Sequence, residues 1–205
     1  MKDTRSRILN AMEELFQEGL AGTASVSDIA RKAGIAKGGL YYYFKSKEEV
    51  MDALIDKVYD DIITNCSSII QNFDGNALEK LKLFLYTYKT SYVDPSLDEY
   101  LHMPSNAALH QKSLVNIQNA LTDCLTPIIN EGIDEGIFQT EYPKQYVRML
   151  LSCFTYLYDP GLFTYDSQEM MLNLKALADM LENGLHAKKG SFSFLFLTSP
   201  IDSKS

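Results

Sequence analysis

Apolar residues recur every three or four positions along almost the entire chain, which is the periodicity of amphipathic helices. The first stripe, which begins with Ile8, Met12 and Leu15, predicts a helix from about Thr4 to Glu18. Further helices are predicted from Ser25, over Lys37–Phe44, Ser46–Asn72 and Ala77–Val93, just after Asp94-Pro95, over Ala107–Glu131, from Pro143 and over Ser167–His186. A convincing strand pattern occurs only at Phe192–Leu197. The pattern therefore predicts an all-α fold.

Polar residues at two predicted helix starts match the capping box. In this motif the side chain of the residue before the helix accepts from the amide of the third helical residue, whose own side chain accepts from the amide of the residue before the helix. Ser25 and Asp28 form one such pair, and Ser46 and Glu49 form the other. Pro127 lies within a predicted helix and is expected to kink it.

The last two predicted helices are apolar on two sides. In the first, Val147, Leu151 and Leu157 share one face, while Met149 and Tyr156 lie on the opposite face. A helix with two apolar sides must bury both of them. In a body of this size, we expect the second side to contact another copy of the chain.

Charge is distributed unevenly along the sequence. The formal net charge of −8 at first argues against a nucleic-acid partner. Residues 1–47, however, contain eight Lys or Arg and five Asp or Glu, whereas the rest of the chain contains 11 and 22. A small basic head therefore precedes an acidic body, and only the head suits a polyanion.

Composition narrows the class of protein further. Hydrophobic residues make up 46% and charged residues 22%, as in soluble globular proteins. No apolar run has the length of a membrane helix or follows the pattern of a signal peptide. Three widely spaced cysteines form no disulfide framework or metal motif, so a reduced, cytoplasmic setting is expected.

The segment 25–47 has the pattern of a helix-turn-helix. Ile29, Ala30 and Ala33 give its first helix a small apolar face that another helix can cross closely. Gly34 suits the sharp turn because it tolerates positive φ. Leu40 and Phe44 then face the core beneath a short second helix.

The exposed side of that second helix carries chemistry suited to DNA. Gly38 and Gly39 are poor helix formers, but without side chains they let the backbone approach base edges. Tyrosine hydroxyls, serine hydroxyls and lysine ammonium groups donate hydrogen bonds to phosphates. The predicted DNA-binding residues are Ser25, Ser27, Lys37, Gly38, Gly39, Tyr41, Tyr42, Tyr43, Lys45 and Lys47. The competing interpretation, an ordinary helical hairpin, does not explain this combination.

This segment resembles the N-terminal domain of the TetR/AcrR family of regulators. The matching residues are Asp28-Ile29-Ala30, Ala33-Gly34-Ile35, Lys37-Gly38, Leu40-Tyr41, Phe44 and Ser46-Lys47-Glu48. Tyr43 and Ala36 depart from the family pattern, which often has histidine and serine there. The resemblance implies an all-helical homodimer with a ligand pocket in its C-terminal body. The expected domains are a DNA-binding head (1–47), a ligand-binding and dimerisation body (48–190) and a tail (191–205).

The body is rich in aromatic residues and methionines, which suit a small apolar or aromatic effector. The pocket candidates are Phe84, Tyr88, Tyr92, Met103, Phe154 and Tyr158, and the competing interpretation is that each belongs to the core. The expected function is a ligand-responsive repressor that binds a double-stranded, near-palindromic operator as a homodimer, without cofactor, metal or membrane. Activation instead of repression remains an alternative.

Two further classes of function remain open. An enzyme is disfavoured because the histidines and cysteines form no nucleophile–base or metal signature, although His102 and His110 would provide a metal site if they met. Regulation by a protein partner would use the apolar tail Phe192–Leu197, unless that tail packs on its own body.

Overall fold

The computed structural model describes residues 3–91, 93–159 and 162–196, and over these residues the chain forms nine α-helices and no strand. The helices are α1 (Thr4–Gln17), α2 (Val26–Lys32), α3 (Lys37–Tyr43), α4 (Lys47–Gln71), α5 (Ala77–Thr90), α6 (Pro95–His102), α7 (Ala107–Asp134), α8 (Pro143–Ser152) and α9 (Ser167–Gly184). The predicted all-α fold is confirmed. None of these helices combines the length and the apolar character needed to cross a membrane.

The predicted caps explain where α2 and α4 begin. At α2 the capping box is complete, since the Ser25 hydroxyl accepts from the Asp28 amide and the Asp28 carboxylate accepts from the Ser25 amide. At α4, the Ser46 hydroxyl accepts from the Glu49 amide, but the Glu49 carboxylate accepts from the amide of Lys45. The second box is therefore shifted by one residue, and it still satisfies two amides at the helix start.

The described residues divide into two compact units. The first contains the residues up to Ile62 together with those of Ser91–Ile117, and the second contains Ile63–Thr90 and the described residues from Gln118 onwards. The predicted head of residues 1–47 thus belongs to a larger unit that also includes α6 and the first part of α7.

One apolar core holds the first unit together. It contains Ile8, Leu9 and Met12 of α1, Ile29 and Ala30 of α2, Leu40 of α3, Val50, Met51 and Leu54 of α4, and Leu97 and Leu101 of α6. The Phe16 ring of α1 also meets the Tyr100 ring of α6 edge to face, with their centroids 5.7 Å apart. Helix α6 is therefore part of the support beneath the helix-turn-helix.

The second unit is built from the end of α4, α5, the rest of α7, α8 and α9. Lys80 of α5 forms an ion pair with Glu131 of α7, and the amide of Ala77 donates to the Glu135 carboxylate. The buried face of α9 contains Leu177, Ala178 and Leu181. Pro127 lies inside α7 as expected.

The second half of the helix predicted from Pro143 is not a regular α-helix. Regular α-helix ends at Ser152, and a π-helical segment follows over Cys153–Leu157. The sequence pattern placed Leu157 on the buried side, but its side chain is 40% exposed. A π-helical turn contains more residues than an α-helical turn, so it rotates the positions after it away from the predicted face.

The strand-like pattern at Phe192–Leu197 does not form a strand over its described residues, which end at Phe196. Ser193–Leu195 instead form a short 3-10 turn. The Phe192 side chain is buried and stacks on Phe138 with the ring centroids 6.0 Å apart. Glu182 of α9 accepts hydrogen bonds from the amides of Gly190 and Phe192. This part of the tail therefore packs on its own unit.

Candidate nucleic-acid interface

The turn between α2 and α3 positions the predicted recognition helix. Gly34 adopts a positive φ of 65°, as expected from the sequence. The guanidinium of Arg7 donates to the carbonyl oxygens of Ala33 (2.6 Å) and Gly34 (3.0 Å), which closes the end of α2 against α1. A Cβ atom at Gly34 would lie 2.9 Å from Arg7 Nη2, so a side chain here would displace the guanidinium and would also be strained at this positive φ.

Sequence reasoning did not identify Arg7 as part of the site. Arg7 and the turn are 26 and 27 residues apart, and no local pattern pairs them. A second unforeseen contact is the stacking of Arg5 over the Phe44 ring, at 5.5 Å from the ring centroid. Both arginines thus support α3 from the N-terminal helix.

The exposed surface of α3 contains most of the predicted DNA-binding residues. Tyr42 projects furthest, with 83% of its surface exposed, and its ring meets that of Tyr43 edge to face. The Lys37 ammonium lies 5.9 Å from the centroid of the Tyr41 ring. Lys45 follows the helix and is also exposed. Three phenolic hydroxyls and two ammonium groups therefore belong to one short segment.

The two glycines of α3 are not equivalent. A Cβ atom at Gly38 would meet nothing within 4 Å, so this position faces open space. At Gly39 it would lie 4.0 Å from the Ile35 side chain, at ordinary contact distance. Gly38 is therefore the position at which an added side chain would obstruct an approaching surface instead of the protein core.

Four of the predicted residues lie outside α3. Besides Lys45, they are Ser25, Ser27 and Lys47, whose roles in the fold differ. The Ser25 hydroxyl caps α2 and donates to the Asp28 carboxylate at 2.7 Å, and these hydrogen bonds hold the pKa of Asp28 below its usual value. Ser27 is exposed in the first turn of α2. Lys47 donates to the carbonyl of Gly22 at 3.0 Å, and burial lowers the pKa of its ammonium. Lys47 therefore also braces the loop before α2.

The predicted effector residues occur in both units. In the second unit, Phe84 and Tyr88 of α5 stack with centroids 6.5 Å apart, and Phe154 and Tyr158 form a tilted pair at 5.4 Å. Phe84 is fully buried, whereas the other three are partly exposed. Burial raises the pKa of Tyr158, which indicates an apolar environment around its hydroxyl. Met103 belongs to the first unit, and Tyr92 lies outside the described residues.

Helices α8 and α9 and the segment between them expose large apolar side chains among polar ones. Met149 and Met180 each expose 66% of their surface, and Leu172 and Tyr156 are also exposed. Leu172, Ala176 and Met180 are spaced four residues apart, so they form one row along α9.

Family models match two parts of the chain. Residues 8–54 match the model described as bacterial regulatory proteins of the tetR family, and residues 89–180 match the model of the tetracyclin repressor-like C-terminal domain. The first match covers the helix-turn-helix.

Individual proteins match over most of their length. The fatty acid metabolism regulator protein of Bacillus subtilis is 27% identical over 199 residues, which are 92% of this chain and 100% of the relative. The HTH-type transcriptional repressor KstR2 of Mycobacterium tuberculosis is 28% identical over 77% of this chain and 82% of its own. The structure of Thermus thermophilus FadR in complex with lauroyl-CoA shares the fold, with a TM-score of 0.57, 17% identity and coverage of 90% and 96%.

Proposed function

Since the chain belongs to the TetR/AcrR family of transcriptional regulators, we propose that it acts as a homodimeric repressor whose α3 helices bind a near-palindromic operator. It is a DNA-binding regulator and not an enzyme. The observation that carries the proposal is the exposed surface of α3 and of Lys45 just after it, where three tyrosines, two lysines and an unobstructed Gly38 occur together. In this arrangement the hydroxyls and ammonium groups bind phosphates, and the backbone at Gly38 approaches base edges in the major groove.

Dimerisation uses the exposed apolar row of α9 together with Met149 of α8 and Tyr156 of the π-helical segment. Met149, Tyr156, Leu172 and Met180 would lose their contact with water when the same surface of a second copy covers them. A two-fold dimer would then present two α3 helices to half-sites one DNA turn apart.

The effector is an apolar molecule that binds in the second unit. The two aromatic pairs, Phe84–Tyr88 and Phe154–Tyr158, offer stacking surfaces and two hydroxyls there. The names of two relatives refer to fatty acid degradation or metabolism, and one solved relative holds lauroyl-CoA. These facts favour a molecule with a fatty acyl chain as the first compound to examine.

Release of the operator requires that the effector bind two conformations with different affinity. We infer that α4 carries the change, because it begins directly after the recognition segment and is 25 residues long. An effector that bound both conformations equally would leave operator occupancy unchanged, however tight its binding.

The test begins with selection of bound fragments from a random DNA pool by the full-length protein. Enrichment of a sequence with two-fold symmetry supports the proposal, and enrichment of no sequence contradicts it. On the selected operator, Tyr42→Ala is expected to weaken binding by about tenfold through loss of a phosphate contact. Tyr86→Ala removes an exposed tyrosine of the second unit and should leave the affinity unchanged.

Two further variants separate phosphate contacts from base readout. Lys45→Ala should reduce the slope of log affinity against log salt by about one, because one fewer counterion is released. Gly38→Gln should reduce the preference for the operator over random DNA more than it reduces binding to random DNA. If Gly38→Gln retains full operator preference, the backbone at that position does not approach the bases.

A further inference from the structure

Two of the three histidines of the chain meet at the corner between α6 and α7, within the first unit. The ring centroids of His102 and His110 lie 4.6 Å apart, and one ring nitrogen of each lies within 4.8 Å of the other. His102 is the last residue of α6, and His110 lies in the first turn of α7. The two residues are eight positions apart in the sequence, and the short 3-10 turn Pro104–Asn106 between them brings them together.

Hydrogen bonds hold this corner in one conformation. The side-chain amide of Asn106 donates to the Tyr100 carbonyl at 2.6 Å, and its backbone amide donates to the Met103 carbonyl at 2.8 Å. On the other side of the corner, the hydroxyl of the buried Ser113 donates to the His110 carbonyl at 2.8 Å. The two rings are therefore positioned before any ligand arrives, which lowers the entropic cost of binding one.

The surroundings of His102 determine which of its nitrogens can bind a cation. Its Nδ1 lies 2.8 Å from the backbone carbonyl of Asp98 and 3.6 Å from the carboxylate of the same residue. Because the carbonyl can only accept, Nδ1 is the donor in this hydrogen bond, and Nε2 is the nitrogen that can coordinate a cation. Metal-binding histidines in proteins have this arrangement, with the second ring nitrogen donating to a carbonyl or carboxylate.

We propose that His102 and His110 form a binding site for a late first-row divalent cation of the class of Zn²⁺. Neutral imidazole suits Zn²⁺, Cu²⁺ and Ni²⁺, whereas Mg²⁺ and Ca²⁺ require oxygen ligands. Two metal–nitrogen bonds of about 2.0–2.1 Å can join nitrogens up to about 4.2 Å apart, so the rings need at most a small rotation.

A cation at this position would connect the end of α6 to the start of α7. Helix α6 contributes Leu97 and Leu101 to the core beneath the helix-turn-helix, and its Tyr100 packs on Phe16. The cation therefore stabilises the conformation of the first unit in which this core is intact. The proposal does not depend on DNA binding or on the effector, since it rests on the corner alone.

The experiment uses untagged full-length protein, titrated with Zn²⁺ in a calorimeter and unfolded thermally with and without the ion. The wild-type protein is expected to bind Zn²⁺ and to unfold at a higher temperature in its presence, while Mg²⁺ has no effect. His102→Gln and His110→Gln should each weaken Zn²⁺ binding by at least about tenfold. The matched control is His186→Asn, which removes the third histidine, whose φ is 48°, and should bind as the wild type does.

A second measurement requires no variant of the pair. In nuclear magnetic resonance spectra of the wild-type protein, Zn²⁺ should shift the ring resonances of His102 and His110 and leave those of His186 in place. Unchanged resonances for the pair overturn the proposal, as does Zn²⁺ binding that survives both substitutions. Binding that disappears in Cys124→Ser or Cys153→Ser with both histidines present also overturns it, because the thiols would then be the ligands.

Discussion

The recognition helix α3 and the helices α8 and α9 all expose large non-polar side chains, but these side chains differ in chemistry. On α3 the exposed residues are tyrosines with lysines beside them, so each apolar ring ends in a group that donates hydrogen bonds. On α8 and α9 the exposed large apolar residues include Met149 and Met180, which have no such group. The first surface suits a hydrated polyanion, and the second suits another apolar surface.

The two regions also differ in what holds them in place. The seven-residue α3 contains two glycines and has no side-chain cap, so its own helical stability is poor. Contacts from distant residues compensate, including those of Arg5 with Phe44 and of Arg7 with the turn. By contrast, α9 has 18 residues, a side-chain cap from Asp166 and buried apolar residues in its second half. The surface of α3 therefore depends on contacts from distant residues to hold its helix in place, whereas α9 is stabilised largely by its own length and cap.

The largest expected effect is on the apolar surface of α9. Met180→Glu would place a charge in the proposed dimer interface without a partner, which costs about 3–5 kcal/mol. This corresponds to a loss of dimer affinity of more than about 100-fold. Analytical ultracentrifugation checks this, and Lys82→Glu is the control because it changes an exposed charge on α5. A dimer of unchanged affinity in Met180→Glu would mean that this surface faces something other than a second copy.

A smaller effect, on the free energy of unfolding, is expected when the hydrogen bonds from Arg7 to the turn before α3 are removed. Arg7→Ala removes two hydrogen bonds to the turn and should lower the free energy of unfolding by about 2 kcal/mol, since hydrogen bonds from charged groups contribute about 1.5–3 kcal/mol. Operator affinity should fall with it. Arg7→Lys keeps the charge but loses the planar fork. If Arg7→Lys binds the operator as the wild type does, Arg7 contributes through its charge and not through the two hydrogen bonds that its guanidinium donates to the turn.

The smallest expected effect concerns the cap of α2. Ser25→Ala should lower the melting temperature by roughly 2–4 °C at neutral pH, as expected for loss of an N-cap. The Ser25 hydroxyl is the chief cause of the lowered pKa of Asp28 in the folded state. The stabilisation from the Ser25–Asp28 hydrogen bonds is therefore fully present above the ordinary aspartate pKa, and it is lost as the pH falls through the lowered pKa of Asp28. The difference between wild type and Ser25→Ala should therefore shrink in thermal melts below about pH 4. A difference that stays constant there would exclude the Asp28 carboxylate from the cap.

The elements of the head could be predicted closely because their signals are local. The period of apolar residues, the Ser25–Asp28 box and Gly34 are each contained within a few positions, and the structure places α1, α2 and α3 within about one or two residues of the expected bounds. The exposed residues of α3 could be predicted for the same reason, since a short helix has one buried side, here that of Leu40.

The π-helical segment after α8 and the contacts of the tail could not be predicted in this way. Periodicity assumes a constant 3.6 residues per turn, so it carried Leu157 to the wrong side of the helix. The burial of Phe192 depends on Phe138 and on Glu182 of α9, which lie elsewhere in the chain. The effector residues remain proposals, because aromatic side chains occur in cores and in pockets alike.

The sequence by itself determined the all-α fold, the helix-turn-helix and the division between a basic head and an acidic body. These properties follow from residue type and spacing along one segment at a time. Only the tertiary structure decided that Arg7 supports the turn, that α6 belongs to the core beneath α3 and that His102 meets His110. Each of these contacts depends on how separate segments pack, because contacts between segments leave no periodic signal in either one.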